Sequence, residues 1–243
     1  MRTGLKLCHV ILCQNDFQLN QVTKLFPKKP TLKIHNPIVL SGNKLEEKIG
    51  DRSYIAWLAN FRFVKNLKAL YEIALLLENE QFKIAGVYSN KKDEETTTYL
   101  SKLDRLKNVS FVGYLSRNEV LGFLSKAKYL LNTSRHEGFS NTFLEALAVG
   151  TPVLTTVNAN PDQIIDKNKI GIIYRDSHDL KSKLDSLTEI SYQILSDHCF
   201  RYVKASHDHI LLSHQLNSFL EEKTTDHLFR KTKEEVRKTS SLA

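Results

Sequence analysis

Glycine is scarce: nine in 243 residues, about half the usual ~7%. That excludes collagen-like and glycine-linker architectures. Cysteine is limited to Cys8, Cys13 and Cys199, an odd number without zinc-ligand spacing, which predicts free thiols in a reducing compartment rather than a disulfide framework. Long hydrophobic runs are missing too. The longest, such as Cys8 to Cys13 and Lys128 to Leu131, fall far short of the roughly 20 residues that span a bilayer. The first six residues carry charge but lead into neither a long apolar stretch nor a small-residue cleavage site, so a signal peptide is not expected. Together these shortages predict a cytoplasmic chain, at most peripheral at a membrane.

What is present is ordinary for a globular domain: 41% hydrophobic and 26% charged residues, enough apolar material for a core. The net charge is +8, and residues 1–54 hold nine Lys and Arg against four Asp and Glu. The cations are scattered and accompany no DNA- or RNA-reading motif, so no nucleic-acid partner is expected. Asp-x-Asp is missing, as is any His/Cys cluster with ligand spacing, and no metal is implied.

Short apolar runs alternate with helical patterns. Strands are expected at His9–Leu12, Leu32–His35, Ser53–Leu58, Phe82–Ala85, Val109–Val112, Tyr129–Asn132 and Pro152–Thr155. Helices are expected at Asn66–Leu77, Glu94–Leu106, Arg117–Ala127 and Thr142–Val149, with helical pattern and no clear strand from Asp176 onward. Near-continuously apolar strands separated by 10–15-residue helices predict an α/β fold, a Rossmann-like parallel sheet with helices on both faces and further helices at the C-terminus. The hydrophilic stretch Lys44–Asp51 reads as a linker. The expected organisation is a remnant of another domain over 1–43, the nucleotide-type domain over 44–190, C-terminal helices over 191–222 and a polar tail over 223–243.

Ligands of such sheets bind beyond the carboxyl ends of the strands. After Tyr129–Asn132 comes Thr133-Ser134-Arg135-His136-Glu137-Gly138-Phe139-Ser140-Asn141-Thr142. Ser140 or Asn141 suits an N-cap, Gly138 permits close backbone approach, and the helix N-terminus suits a diphosphate. Glu145 lies one turn into that helix on the face of Asn141, roughly 6 Å along the axis, where a carboxylate can accept hydrogen bonds from vicinal hydroxyls. Taken singly, Glu137, Glu145, Arg62 and Lys65 are ordinary surface groups.

The stretch Glu137 to Leu154, two glutamates with seven residues between them leading into a small-residue helix and Gly150-Thr151-Pro152-Val153, resembles the signature of retaining GT-B glycosyltransferases of the group 1 type. Ile55 to Asn66 resembles that family's first donor-domain strand and its Arg…Lys loop. Asn108 to Leu115 resembles its base-contacting strand and loop, and His35-Asn36-Pro37 the pair closing its N-terminal domain. The resemblance implies the donor half of a GT-B fold and transfer of a sugar from a nucleoside diphosphate, UDP or GDP, to a carbohydrate or lipid-linked acceptor. Glu137 is then the catalytic-region carboxylate. Arg62, Lys65, Gly86, Gly113, Tyr114, Leu115, Gly138, Phe139, Ser140, Asn141 and Glu145 bind the donor, with neither cofactor nor metal.

Only the C-terminal half of a family member is matched, so the resemblance also implies a separate acceptor-domain subunit. The expected strand edges at His9–Leu12 and Leu32–Ile34, normally covered by a neighbouring domain, suit such a partner or self-association. The alternative is an inactive truncated homologue that binds a nucleotide or a partner; a sugar-nucleotide epimerase of the same fold is a third reading. Ala59 stands where the family has glycine, and Asn158-Ala159-Asn160-Pro161-Asp162 where it tends to have Gly-Gly-x-Pro-Glu. Alanine adopts positive φ poorly, so the latter loop is expected to be displaced.

Overall fold

The computed structural model describes residues 2–39, 52–88 and 93–223. The proposed linker Lys44–Asp51, the expected boundary at 43/44 and the tail beyond Lys223 lie outside the described residues. Packing divides the chain into two units, Met1–Pro37 with His207–Ala243, and Ile38–Ser206.

The smaller unit holds α1 (Arg2–Leu7), β1 (Ile11–Cys13), α2 (Asp16–Leu25), β2 (Thr31–Lys33) and a helix over 209–223. β1 and β2 pair in parallel as a two-stranded sheet. Asn15 starts α2, its side-chain carbonyl accepting from the Gln18 N–H at 2.8 Å, yet no residue of α2 is buried.

The larger unit contains β3 (Tyr54–Leu58), α3 (Leu67–Leu76), β4 (Phe82–Ala85), α4 (Glu94–Leu103), β5 (Val109–Gly113), α5 (Arg117–Ser125), β6 (Ala127–Leu131), α6 (Asn141–Ala148), β7 (Val153–Thr156), α7 (Ile164–Lys167), β8 (Gly171–Tyr174), α8 (Ser177–Asp185) and α9 (Glu189–Ser206). Its six strands are all parallel, in the order β5-β4-β3-β6-β7-β8. Central β3 reads Tyr-Ile-Ala-Trp-Leu with four of five residues buried, as a strand covered on both faces must. Its alternation sends Tyr54 and Ala56 into one apolar cluster with Phe143 and Leu130, and Ile55 and Trp57 into another with Leu70 and Ile73. Accordingly α3 packs against α4 and α8, while α6 packs against α5 and α9.

The expected parallel sheet is present, with several element ends revised. Helix α4 stops at Leu103 because Asp104 caps it, and α5 stops at Ser125 because Ala127 already pairs with Tyr54 in the sheet. β8 was not expected: two short 3-10 turns and the single turn of α7 precede it, so the long helical spacer that signals a βαβ unit is missing there. Neither Ala59 nor Ala159 has a positive φ; the left-handed residues of the second loop are Asp162 (φ 53°) and Gln163 (φ 59°). Ala159 is fully buried.

Candidate functional site

In a sheet of this order the connections from β3 and β6 diverge, β3 leading to β4 on one side and β6 to β7 on the other. The crevice above this neighbouring pair is the topological switch point, where such sheets place ligands. Two loops meet there, residues 59–66 after β3 and 132–140 after β6.

A chain of hydrogen bonds ties the two loops together. The buried Trp57 indole N–H donates to Thr133 Oγ1 (3.0 Å), and the Thr133 hydroxyl donates to the Lys65 carbonyl (2.7 Å). The Lys65 ammonium donates to Glu137 Oε2 at 2.7 Å, and the Ser134 hydroxyl donates to the same oxygen at 3.3 Å. The side chains of Lys65 and Glu137 are only 21% and 16% exposed, so solvent screens this pair less than a surface ion pair. Removing either partner leaves a partly desolvated charge. The ammonium carries three N–H donors, so the contact with Glu137 does not exhaust Lys65.

The loop after β6 is fixed from below. The Asn132 side-chain oxygen accepts from the Ser134 N–H (3.0 Å) and the Thr155 hydroxyl (3.4 Å), while the Tyr174 hydroxyl donates to the Asn132 carbonyl (3.0 Å). From above, the Arg135 N–H donates to the Val64 carbonyl at 2.9 Å. Thr133 and Ser134 are buried, whereas His136 and Gly138 are exposed.

The other sequence-designated residues line the same carboxyl edge. Gly86 follows β4 at φ 153°, where an added Cβ would stand 2.0 Å from the Ala59 carbonyl oxygen; only glycine lets β3 and β4 continue side by side at that point. The Gly86 N–H donates to the Gly113 carbonyl (2.8 Å), and Gly113 itself lies at φ 83° in open space. Tyr114 beyond it is 72% exposed, and Leu115 turns back onto the core. Arg62 is exposed and makes no ion pair among the described residues.

Ser140 occupies the N-cap of α6, but its side chain makes no capping bond. The N-cap thus falls at one of the two expected positions, without a side-chain capping bond. Phe139 is half-buried and packs on the core beneath α6, with Asn141 exposed at the helix start. Glu145 is half-buried one turn further on; burial raises its carboxyl above the ordinary range, while the charge of Arg117 works against that rise.

Beside the switch point lies a cavity of about 500 Å³ lined by Asn66, Thr133, Ser134, Arg135, His136 and Tyr174, among others. A second, of about 380 Å³, is lined by Arg52, Glu80, Lys128, Tyr129 and Tyr192. It lies at the opposite edge, where β3 and β6 begin, and the first turn of α9 also lines it. Among the described residues no group of three or more His, Cys, Asp or Glu could hold a metal ion. None of their helices is long and apolar enough to cross a membrane. Trp57, Thr133 and Arg135 were not singled out from the sequence, since their partners are 68 to 76 residues away or depend on a turn no pattern announces.

Comparison with known proteins matches residues 43–206 to the glycosyl transferases group 1. A curated relative, the alpha-monoglucosyldiacylglycerol synthase of Streptococcus pneumoniae, is 28% identical over 159 residues, 63% of this chain and 35% of that protein. Among solved structures, S. aureus TarM in complex with Fondaparinux, alpha-GlcNAc-glycerol and UDP superposes with a TM-score of 0.72 at 18% identity, covering 89% of this chain and 45% of TarM. Anabaena HepE in complex with UDP and glucose gives 0.75 at 12% identity, covering 90% and 65%. The chain thus spans about a third of the curated relative and under half of TarM. The chain belongs to the group 1 glycosyltransferases.

Proposed function

We propose that this chain is the nucleotide-sugar-binding half of a glycosyltransferase, taking a UDP- or GDP-linked sugar at the switch point and transferring it with retention to a carbohydrate or lipid-linked acceptor. The observation that carries this reading is the Lys65–Glu137 pair joining the β3 and β6 loops, beside the N-terminus of α6, whose cap Ser140 makes no side-chain capping bond. Lys65 supplies a point charge and Arg62 a planar fork to the diphosphate, and the α6 dipole adds partial positive charge. These groups stabilise the leaving diphosphate electrostatically, without a metal. Glu145 accepts from the ribose hydroxyls, Glu137 faces the sugar, and Gly113–Leu115 border the base.

UDP in the TarM and HepE complexes supports the diphosphate, and the diacylglycerol synthase supports a lipid-linked acceptor and a peripheral membrane location. The acceptor wall comes from a separate domain or subunit. Positioning the acceptor against the anomeric carbon is worth several kcal/mol, so the chain alone is expected to show no appreciable transfer. Titration calorimetry with UDP, GDP and ADP tests the donor site: weak binding of UDP or GDP is expected, and no heat at millimolar concentration overturns it. The alternative, a non-catalytic nucleotide- or partner-binding module, is favoured by how little apolar surface the smaller unit buries. Robust donor consumption after adding a Rossmann-like acceptor-domain partner contradicts it.

A further inference from the structure

One residue of the β6 loop has more contacts than the chemistry above uses. The backbone N–H of Arg135 donates to the Val64 carbonyl (2.9 Å), and its Nε to the Phe63 carbonyl (3.3 Å). Its guanidinium lies 4.3 Å from the centroid of the Phe63 ring, and its Nη2 donates to Glu95 Oε1 at 2.5 Å. The two carboxylate and guanidinium side chains are each about one-third exposed. Arg135 thus grips two successive carbonyls of the 3-10 turn Phe63–Lys65, Val64 by its backbone N–H and Phe63 by its guanidinium, which also lies over the Phe63 ring and is anchored on the first turn of α4.

That turn needs an external hold. Its own bonds are few, the Lys65 N–H to the Arg62 carbonyl (2.9 Å) and the Asn66 N–H to the Phe63 carbonyl (3.1 Å), and it ends in Asn66 at φ 53°. Phe63 and Val64 are exposed, so apolar burial does not fix it. Yet it carries Lys65, whose ammonium must meet Glu137, two residues beyond Arg135. Arg135 and Glu137 therefore clamp the same turn from one loop, Arg135 by its backbone N–H and its guanidinium, Glu137 by the Lys65 head group.

We propose that Arg135 is a positioning residue of the donor site: it locks the Phe63–Lys65 turn onto the β6 loop and so sets where the Lys65 ammonium stands relative to Glu137 and the diphosphate. The proposal rests on the donor reading above for its consequence, but not for the clamp itself. Lysine cannot replace it fully, since an ammonium keeps the charge facing Glu95 but loses the planar stack and the fork geometry.

Two readouts on the full chain separate these layers. In hydrogen exchange without nucleotide, Arg135→Ala is expected to speed exchange of the amides of residues 62–66 at least tenfold and leave β3 and β6 unchanged, with Arg135→Lys in between. Unchanged exchange at 62–66 overturns the clamp. In calorimetry, Arg135→Ala is expected to weaken UDP binding about tenfold, but less than twofold in a Lys65→Ala background. An equal loss in both backgrounds means that Arg135 acts on the nucleotide directly, and overturns the positioning role. If the unmodified chain binds neither UDP nor GDP, the donor reading fails and the exchange result alone decides the clamp. Should Arg135→Ala unfold the chain, Phe63→Leu, which removes only the stacked ring, is expected to raise exchange at 62–66 by a smaller factor. No rise there also overturns the clamp.

Discussion

The two units of the chain solve the burial problem differently. In the Ile38–Ser206 unit a six-stranded parallel sheet is sandwiched between helices, and Trp57, Phe82, Phe143, Leu70 and Ile84 are almost wholly removed from water. The smaller unit has two strands, and Ile11, Cys13 and Leu212 are its buried apolar residues among those described. Leu7, Phe17 and Leu25 remain largely exposed, and polar contacts carry much of the rest, such as Lys33 to Asp16 at 2.7 Å and the Lys29 ammonium donating to the Lys6 and Cys8 carbonyls. A two-stranded sheet is marginal without a third strand or a helix covering an apolar face. The rigidity that a preorganised site requires is therefore concentrated in the larger unit, which holds every donor-site residue proposed above.

Core truncation exposes that contrast most strongly. Phe143→Ala is expected to destabilise the chain by about 3–5 kcal/mol, whereas Phe17→Ala, at a side chain 71% exposed, should stay within about 0.5 kcal/mol. Denaturant unfolding of both variants checks this, and similar losses would erase the distinction between the units.

Inside the larger unit, Glu145→Ala and Lys65→Ala are each expected to weaken UDP binding by about 1–3 kcal/mol, the cost of losing a charged hydrogen-bond partner. Glu137→Ala should weaken plain UDP less than Glu145→Ala does, since it frees Lys65 without removing a UDP contact, and act mainly on the sugar-bearing donor. Calorimetry with UDP and with UDP-glucose separates the two roles; equal losses of UDP affinity from Glu137→Ala and Glu145→Ala contradict the division.

Acid should loosen the smaller unit first. His207 is fully buried, stacked on His35 at 4.8 Å, with its Nδ1 2.8 Å from the Asn36 carbonyl. Burial pushes its pKa down to about 4; the Asn36 contact opposes that shift and His35 adds to it. The unfolded chain then binds the proton first. The stabilisation is intact above pH 6.5 and drains away as the pH falls toward 4. Hydrogen exchange over 11–33 and 209–223 should rise across that window while β3 and β6 hold.

The smallest effect concerns Glu145. Its carboxyl is raised by burial, so its ionisation costs stability as the pH climbs above the ordinary carboxylate range. Glu145→Gln is expected to raise the thermal midpoint by roughly one to three degrees at pH 7, with no gain below pH 4. A lowered midpoint at pH 7 would contradict the burial cost.

Most of this architecture was legible because buried parallel strands announce themselves as short apolar runs and α3 and α6 as helical periodicity. β8 escaped because Gly171-Ile172-Ile173-Tyr174 follows turns rather than a long helix, and its place depends on pairing with β7. The loop motif 133–145 marked where to look. The bonds that shape it could not be read, because Trp57 to Thr133 and Arg135 to Phe63 join residues more than 70 apart, and chain pattern carries no record of such contacts. Ala59, which stands where the resembled family has glycine, extends the ladder, its N–H donating to the Ala85 carbonyl at 3.2 Å.

Hydrogen exchange of the full chain with and without saturating UDP tests most directly whether the larger unit's carboxyl edge is the nucleotide site. Protection is expected at 59–66, 113–115 and 133–145, with none over 2–37. Protection confined to the smaller unit, or to the cavity around Arg52 and Tyr192 at the opposite edge of the sheet, would contradict it.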